Sequence, residues 1–454
     1  MTDPDLLVIG AGTAGMAAAR TARRAGHSVV LVAEGRPGGD CTFNGCVPSK
    51  TLIAAAAAGT PYPQAVSQVA AAIEQIAATE DEGVLRGKGI DVRRARAVFT
   101  GPMTVDVEGT VLRPGRVVLA TGSGPVVPGI DGLAGVPYLT NETVFALPAL
   151  PQHLAVLGGG AIGCELAQAF RRLGSLVTVV EGADRLLGKE EPQASRVVQA
   201  ALEADGVTVR TGAGVTKAEK VRGGVRLSLA DGTTVTASAL LVAVGRRPVT
   251  EGLGLDRAGI QVARSGAVVT DDRLRTTARG VWAAGDVTGK LPFTHAADVM
   301  GRLVGESAFG RGRGGRFKEA AIPWVTFTDP EVGRVGMTEA QAADSVKGAR
   351  VVELSMADVD RGVTSGRTEG FVKLVVGPKT LTRNLAGGRV LGGTTVGPRG
   401  GELIAEIALA MASGMFTGRL AQTTHAYPSW SMAVQQCAAQ LFGYGDVEPR
   451  PACG

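Results

Sequence analysis

Two cysteines stand five positions apart in the run Gly38-Gly39-Asp40-Cys41-Thr42-Phe43-Asn44-Gly45-Cys46-Val47-Pro48-Ser49-Lys50. Such thiols can make and break a disulfide only if their sulfurs meet. Five positions of an ideal helix turn through about 500°, which leaves the side chains about 140° apart. The segment must therefore be distorted, and Gly45 permits it. Glycines, Pro48 and Lys50 surround the pair at the start of a helix, a setting that favours a reactive thiolate over two inert buried thiols. Five cysteines in 454 residues are too few and too unevenly spaced for a secreted disulfide framework. Cys164 and Cys437 lie in apolar stretches and are read as core, which leaves Cys41 and Cys46 as one catalytic pair and Cys453 in the tail.

The elements around that pair are those of a nucleotide site. Leu6-Leu7-Val8-Ile9 reads as a buried strand, followed by Gly10-Ala11-Gly12-Thr13-Ala14-Gly15, an Ala-rich helix to about Arg24, and a strand from Ser28 to Ala33 that ends at Glu34. In such a βαβ unit Gly10, Gly12 and Gly15 give the tight turn, the close approach of backbone to a pyrophosphate, and the close packing of helix on strand. Glu34, 24 residues after Gly10, would hold a ribose hydroxyl. The glycine pattern alone is a weak signal; the flanking strand, helix and acid strengthen it. The pattern recurs in strand His153 to Leu157, glycines Gly158, Gly160 and Gly163, strand Leu176 to Val180, and Glu181. A carboxylate at Glu181 accepts hydrogen bonds from an adenosine ribose and repels a 2′-phosphate, so NADH is expected over NADPH. Arg185, close by, argues the other way.

With two such units around it, the cysteine run resembles the redox-active signature of the flavin-dependent class I pyridine nucleotide-disulfide oxidoreductases, a family that includes lipoamide dehydrogenase, glutathione reductase and mercuric reductase. The resemblance runs through essentially the whole chain in order. It implies FAD in the first unit, lined by Gly39, Lys50, Ala97, and Thr121 and Gly122 at the end of the strand from Val117. It places Asp286, in Val281-Trp282-Ala283-Ala284-Gly285-Asp286, at the flavin's ribityl chain and Thr294 near the ring. Leu240 to Pro248, with Gly245, resembles the strand and turn that close the nicotinamide domain, although Val249 stands near where the family usually has Asn. NADH would pass a hydride to FAD, the reduced flavin would cleave the Cys41–Cys46 disulfide, and the dithiol would reduce a second substrate. By the same resemblance Cys46 faces the flavin, Cys41 attacks the substrate, and Lys50 pairs with Glu165 across the two nucleotide domains.

The totals agree with this architecture. The chain exceeds a single core of about 250–300 residues, and 66 glycines are too many for a helical bundle and too aperiodic for collagen. The expected fold is α/β: two doubly wound dinucleotide-binding domains, the NAD domain (148–271) inserted in the FAD domain (1–147 and 272–315), then an α+β dimerisation domain (316–454). A net charge of +5 without a basic stripe or interleaved aromatics argues against nucleic acid. No apolar run is long enough to span a bilayer, and the N-terminus lacks a signal-peptide pattern. A cytoplasmic homodimer acting on a small molecule is expected. Arg311 to Phe317 reads as a linker.

The C-terminal region departs from the family. Its reductases end in His-Pro followed four residues later by Glu, a dyad that moves the dithiol's protons. Here the run is Thr424-His425-Ala426-Tyr427-Pro428-Ser429-Trp430-Ser431-Met432. Tyr427 is a poor base and a better proton donor. In an extended segment His425, two residues early, would point to the same side about 6.5 Å away. By resemblance both would reach Cys41 of a partner subunit. The expected function is reduction of a disulfide or other thiol-reactive substrate by NAD(P)H. Mercuric-reductase-like metal-ion reduction and quinone reduction are the alternatives, with a nonenzymatic flavin-binding protein ranked below them. Against metal capture, the tail Pro451-Ala452-Cys453-Gly454 carries one thiol where two are the usual minimum, and no CxxC precedes the first unit; the tail is expected to be disordered and inert.

Overall fold

The structure is a computed structural model that describes residues 3–310, 315–379, 384–444 and 449–453. The chain forms two compact units. The first comprises Met1–Pro128, Leu139–Ala149 and Val242–Lys318, and the second Gly129–Tyr138, Leu150–Leu241 and Glu319–Gly454.

A parallel five-stranded sheet organises the first unit, in the order Val281–Ala283, Arg116–Leu119, Leu6–Ile9, Val29–Ala33, Ile90–Arg94. Apart from Arg116 at one strand end, the three central strands are apolar because both sheet faces are covered. Leu7, Ile9, Val30, Val32, Val117 and Leu119 point into a core shared with Phe99, Val105 and Leu112 of a small antiparallel sheet. Helix Thr13–Arg24 packs against helix Thr294–Phe309 at a distance only glycine allows. A Cβ on Gly301 would lie 2.2 Å from the carbonyl oxygen of Ala14.

The second unit contains a parallel sheet in the order Thr208–Arg210, Leu176–Val180, His153–Leu157, Ala239–Val242, and an antiparallel sheet of Val215–Val221, Gly224–Leu229 and Thr234–Ala237. A six-stranded antiparallel sheet follows: Trp324–Thr326, Glu331–Gly336, Arg389–Gly397, Phe371–Gly377, Arg350–Ser355 and Arg450–Pro451. Helices Gly400–Ala412 and Met432–Ala439 cover it, and Cys437 is fully buried in that core. The C-terminal region and the second nucleotide unit thus cluster together, while residues 242–271 cluster with the first unit.

Lys373, in the middle of the fully buried strand Phe371–Gly377, has no exposed surface. Its ammonium lies 2.9 Å from Glu339, 3.3 Å from Glu353 and 3.6 Å from Glu191, and donates to Gln193. Glu339 is also gripped by both terminal nitrogens of Arg450. The tail as far as Cys453 is therefore held in place, where its sequence suggested a disordered terminus. Arg450–Pro451 is an edge strand on Arg350–Ser355, and the Cys453 amide donates to Glu339. Of the expected linker, residues 311–314 lie outside the described residues. Phe317 is buried and its amide donates to the Asp272 carbonyl.

Candidate active site

The two glycine loops have the same geometry. Gly10 and Gly158 sit at φ of 108° and 111°. A Cβ on Gly15 would lie 1.9 Å from the Gly10 carbonyl oxygen, and one on Gly163 would lie 1.9 Å from that of Gly158. The middle glycines differ: a Cβ on Gly160 would meet nothing within 4 Å, and one on Gly12 only the Cα of Gly39 at 3.9 Å. Helices Thr13–Arg24 and Ala161–Arg172 start at these glycines with no side-chain cap, so side chains leave their first amides available to an anion. Tight first glycine, open second glycine, packed third glycine and uncapped helix fit a dinucleotide pyrophosphate in each unit.

The acids expected at the ribose ends stand after their strands. Glu34 is exposed, with Arg96 4.0 Å away. Glu181 accepts from the amides of Gly159 at 2.6 Å and Ala183 at 2.8 Å, which fixes its carboxylate beside the second loop. Arg185 is turned to the carbonyls of Leu187, Gly188 and Glu190. Ala97 is buried at the start of strand Ala97–Gly101. The Thr121 hydroxyl donates to the Val249 carbonyl at 2.6 Å, and Gly122 and Gly245 follow their strands with open space where a Cβ would be. Asp286 accepts from the Ser123 hydroxyl at 2.6 Å.

The cysteine run is broken where the helical angle requires it. Helix Gly39–Phe43 ends at Asn44, and helix Cys46–Ala57 starts after Gly45, whose φ of −120° and ψ of −112° belong to neither helix. Cys46 is the first residue of the second helix, where the partial positive charge of the N-terminus favours a thiolate. Its sulfur lies 3.4 Å from the Thr294 hydroxyl. Neither cysteine is in a disulfide in this structure. The hydrogen bond with Cys46, and then burial, push the Cys41 thiol well above its ordinary range, so Cys41 keeps its proton beside Cys46. Lys50, one turn after Cys46, shares its helix face. The break thus sets the two thiols beside each other, as an exchanging pair requires.

In the second unit Glu165 is buried and accepts from the Phe327 amide at 2.8 Å. Cys164 is buried, with its thiol held against the Gly159 carbonyl. His425 has a carboxylate partner that its local sequence does not show: Nε2 lies 2.9 Å from Glu406, on helix Gly400–Ala412, and Nδ1 lies 2.8 Å from the Thr423 carbonyl. Both ring nitrogens are thus occupied by partners of this same segment and helix. Tyr427 is exposed and donates to Asp360 at 2.8 Å, a bond that raises its pKa and keeps it protonated. Replacing His425 with Gln is accordingly expected to cost about 1–2 kcal/mol of stability with turnover near wild type. Steady-state rates check this, and a loss on the order of 100-fold or more would return His425 to proton transfer.

Residues 4–301 match the model of the pyridine nucleotide-disulphide oxidoreductases, and residues 322–438 that of their dimerisation domain. The chain belongs to the pyridine nucleotide-disulphide oxidoreductase family. It is 36% identical to a mercuric reductase of Streptomyces lividans over all of this chain and 98% of that protein. It is 33% identical to a dihydrolipoyl dehydrogenase of Thermus scotoductus over 96% of this chain and 97% of that one. Among solved structures it is similar to the Cu(II) complex of the HOCl-induced flavoprotein disulfide reductase RclA from Escherichia coli. There the TM-score is 0.89 at 30% identity, covering 97% of this chain and 99% of that one. As a pyridine nucleotide-disulphide oxidoreductase the protein is an FAD-dependent enzyme that uses NAD(P)H, and its C-terminal region is a dimerisation domain. No helix among the described residues is long and apolar enough to cross a membrane.

Four side chains at this site went unassigned from sequence: Asp40, Ser123, Asn141 and Arg246. The Arg246 guanidinium contacts the Asp40 carboxylate at 2.9 Å and the Ser123 hydroxyl at 2.9 Å. A charge placed between two glycines and a reactive cysteine was the available signal.

Proposed function

We propose that Cys41 and Cys46 are the redox-active pair of an NADH-dependent reductase acting on a disulfide or another thiol-reactive substrate. The observation that carries this reading is the helix break at Asn44 and Gly45, which sets Cys46 at a helix N-terminus beside the Cys41 thiol. FAD, when bound, carries the two electrons between the nicotinamide and the sulfurs. The chain's own residues do the rest. The glycine loops at Gly12 and Gly160 hold pyrophosphates, and Glu34 and Glu181 hold ribose hydroxyls. Ala97, Thr121, Gly122, Gly245 and Asp286 line the cofactor, with Thr294 and Lys50 beside Cys46. Cys41 is the thiol that meets the substrate. The enzyme acts as a homodimer with shared active sites, and its supply of NADH places it in the cytoplasm.

Reduction of a thiophilic metal ion is the second reading, favoured by the mercuric reductase relative and by the copper(II) that RclA holds. Two adjacent thiols meet the minimum for a soft ion. Anaerobic titration with NADH, following the flavin spectrum and counting thiols, tests the reading. Two newly released thiols with a long-wavelength charge-transfer band are expected. Bleaching of the flavin without thiol release would mean that the pair is bypassed, and would turn the search to quinones and metal ions.

The preference for NADH rests on Glu181 and on Arg185, which is turned to backbone carbonyls. Glu181→Ala is expected to reduce the NADH-over-NADPH ratio of kcat/KM by on the order of tenfold or more, the worth of a hydrogen bond to a charged group. Initial rates with both nucleotides check it, and an unchanged ratio would place the discrimination elsewhere.

A further inference from the structure

Asp40 lies between the glycine that backs the first phosphate loop and the first cysteine, and its carboxylate is engaged on every side. One oxygen meets Arg246 at 2.9 Å; the other accepts from the Asn141 amide at 3.3 Å. The same Asn141 amide reaches the Asn44 carbonyl at 3.3 Å, at the break between the two cysteine-bearing helices. A Cβ on Gly45 would lie 3.3 Å from the Asp40 carboxylate and 3.3 Å from the Cys41 Cα, so the carboxylate fills the inside of that turn. Arg246 continues the chain of contacts. It donates to the hydroxyl and the carbonyl of Ser123, and the Ser123 hydroxyl donates to Asp286.

From this geometry we infer that Asp40 is a positioning residue for the cysteine pair. Its ion pair with Arg246 and its bond to Asn141 hold the turn between Cys41 and Cys46 at the spacing that lets a disulfide close. Arg246, through Ser123, fastens the same turn to Asp286. Burial raises the Asp40 pKa and Arg246 opposes it, as expected of a carboxylate whose neighbouring cation stabilises its charge. Removing this brace widens the range of sulfur separations, and ring closure, which depends on proximity, becomes less favourable.

The inference rests on the reading of Cys41 and Cys46 as a redox pair, and the test separates the two. The holoenzyme is equilibrated anaerobically with mixtures of reduced and oxidised dithiothreitol, and its thiols are counted. Two S–H bonds of the protein are exchanged for one S–S bond, while the reagent's disulfide takes up the two electrons and two protons. Asp40→Ala is expected to move the equilibrium about tenfold toward the dithiol, or about 30 mV, with Asp40→Glu falling closer to wild type. Arg246→Gln, which removes the other half of the same ion pair from strand Arg246–Pro248, is expected to move it in the same direction and decides the matter if Asp40→Ala does not fold. Equilibria within twofold of wild type, or moved toward the disulfide, would overturn the role of Asp40. A wild-type protein that forms no disulfide between Cys41 and Cys46 would instead overturn the redox pair itself.

Discussion

Cys46→Ser is expected to lower NAD(P)H-linked disulfide reduction by on the order of 10⁴-fold, the scale on which loss of a reacting nucleophile is felt. Binding of both nucleotides should be nearly unchanged, because the substitution alters one atom and leaves the glycine loops and their acids as they are. The serine hydroxyl fits the helix start and cannot form a disulfide. Cys41 would lose the neighbouring sulfur and remain a lone thiol. Turnover with a disulfide substrate and a thiol count after NADH addition check this. If a quinone is still reduced at the wild-type rate while disulfide reduction disappears, two acceptor routes exist and only one passes through sulfur. Full retention of disulfide reduction would remove the pair from the chemistry.

Lys373→Met should be the most damaging single change to stability. Methionine fits the volume, but Glu339, Glu191 and Glu353 would lose the ammonium they share inside the protein. Breaking a buried pair by removing one partner costs about 3–5 kcal/mol. Thermal unfolding of the variant beside wild type measures it; a difference within error would mean that the carboxylates take up protons or water at no cost. The cluster also predicts acid sensitivity. Burial alone would raise the Glu339 pKa, yet hydrogen bonds from Arg450 and Lys373 bring it down to about 2. A carboxyl whose folded pKa is depressed adds stability above its unfolded value, near 4.5, and loses it as the pH falls toward 2. Unfolding midpoints should fall across that window, and less steeply once Arg450 is replaced by Met.

What was legible in the sequence follows from which constraints are local. Gly15 and Gly163 can be read because any side chain there collides with a carbonyl a few residues away in the same loop. The break at Asn44 and Gly45 can be read because helical geometry forbids two sulfurs five positions apart from meeting. His425 and Glu406 meet only because a helix and a later loop pack together, so a pattern search that looked four residues ahead found Met432 and no acid. Lys373 interrupts an apolar strand without disturbing it, since its partners come from three other segments. The link from Asp40 to Arg246 joins two runs that were each read for their glycines and cysteines, and neither run announces its counter-ion.

Gly39 touches both halves of the first unit's chemistry. Its Cα abuts the phosphate loop so closely that a Cβ there would lie 2.7 Å from the Gly12 Cα, and its chain continues through Asp40 into Cys41. Whatever fills the loop at Gly12 therefore stiffens the ground on which the thiols stand. Alkylation of Cys41 should quicken when the dinucleotide leaves, which makes a thiol-labelling rate a gauge of cofactor occupancy in protein that has lost its yellow colour.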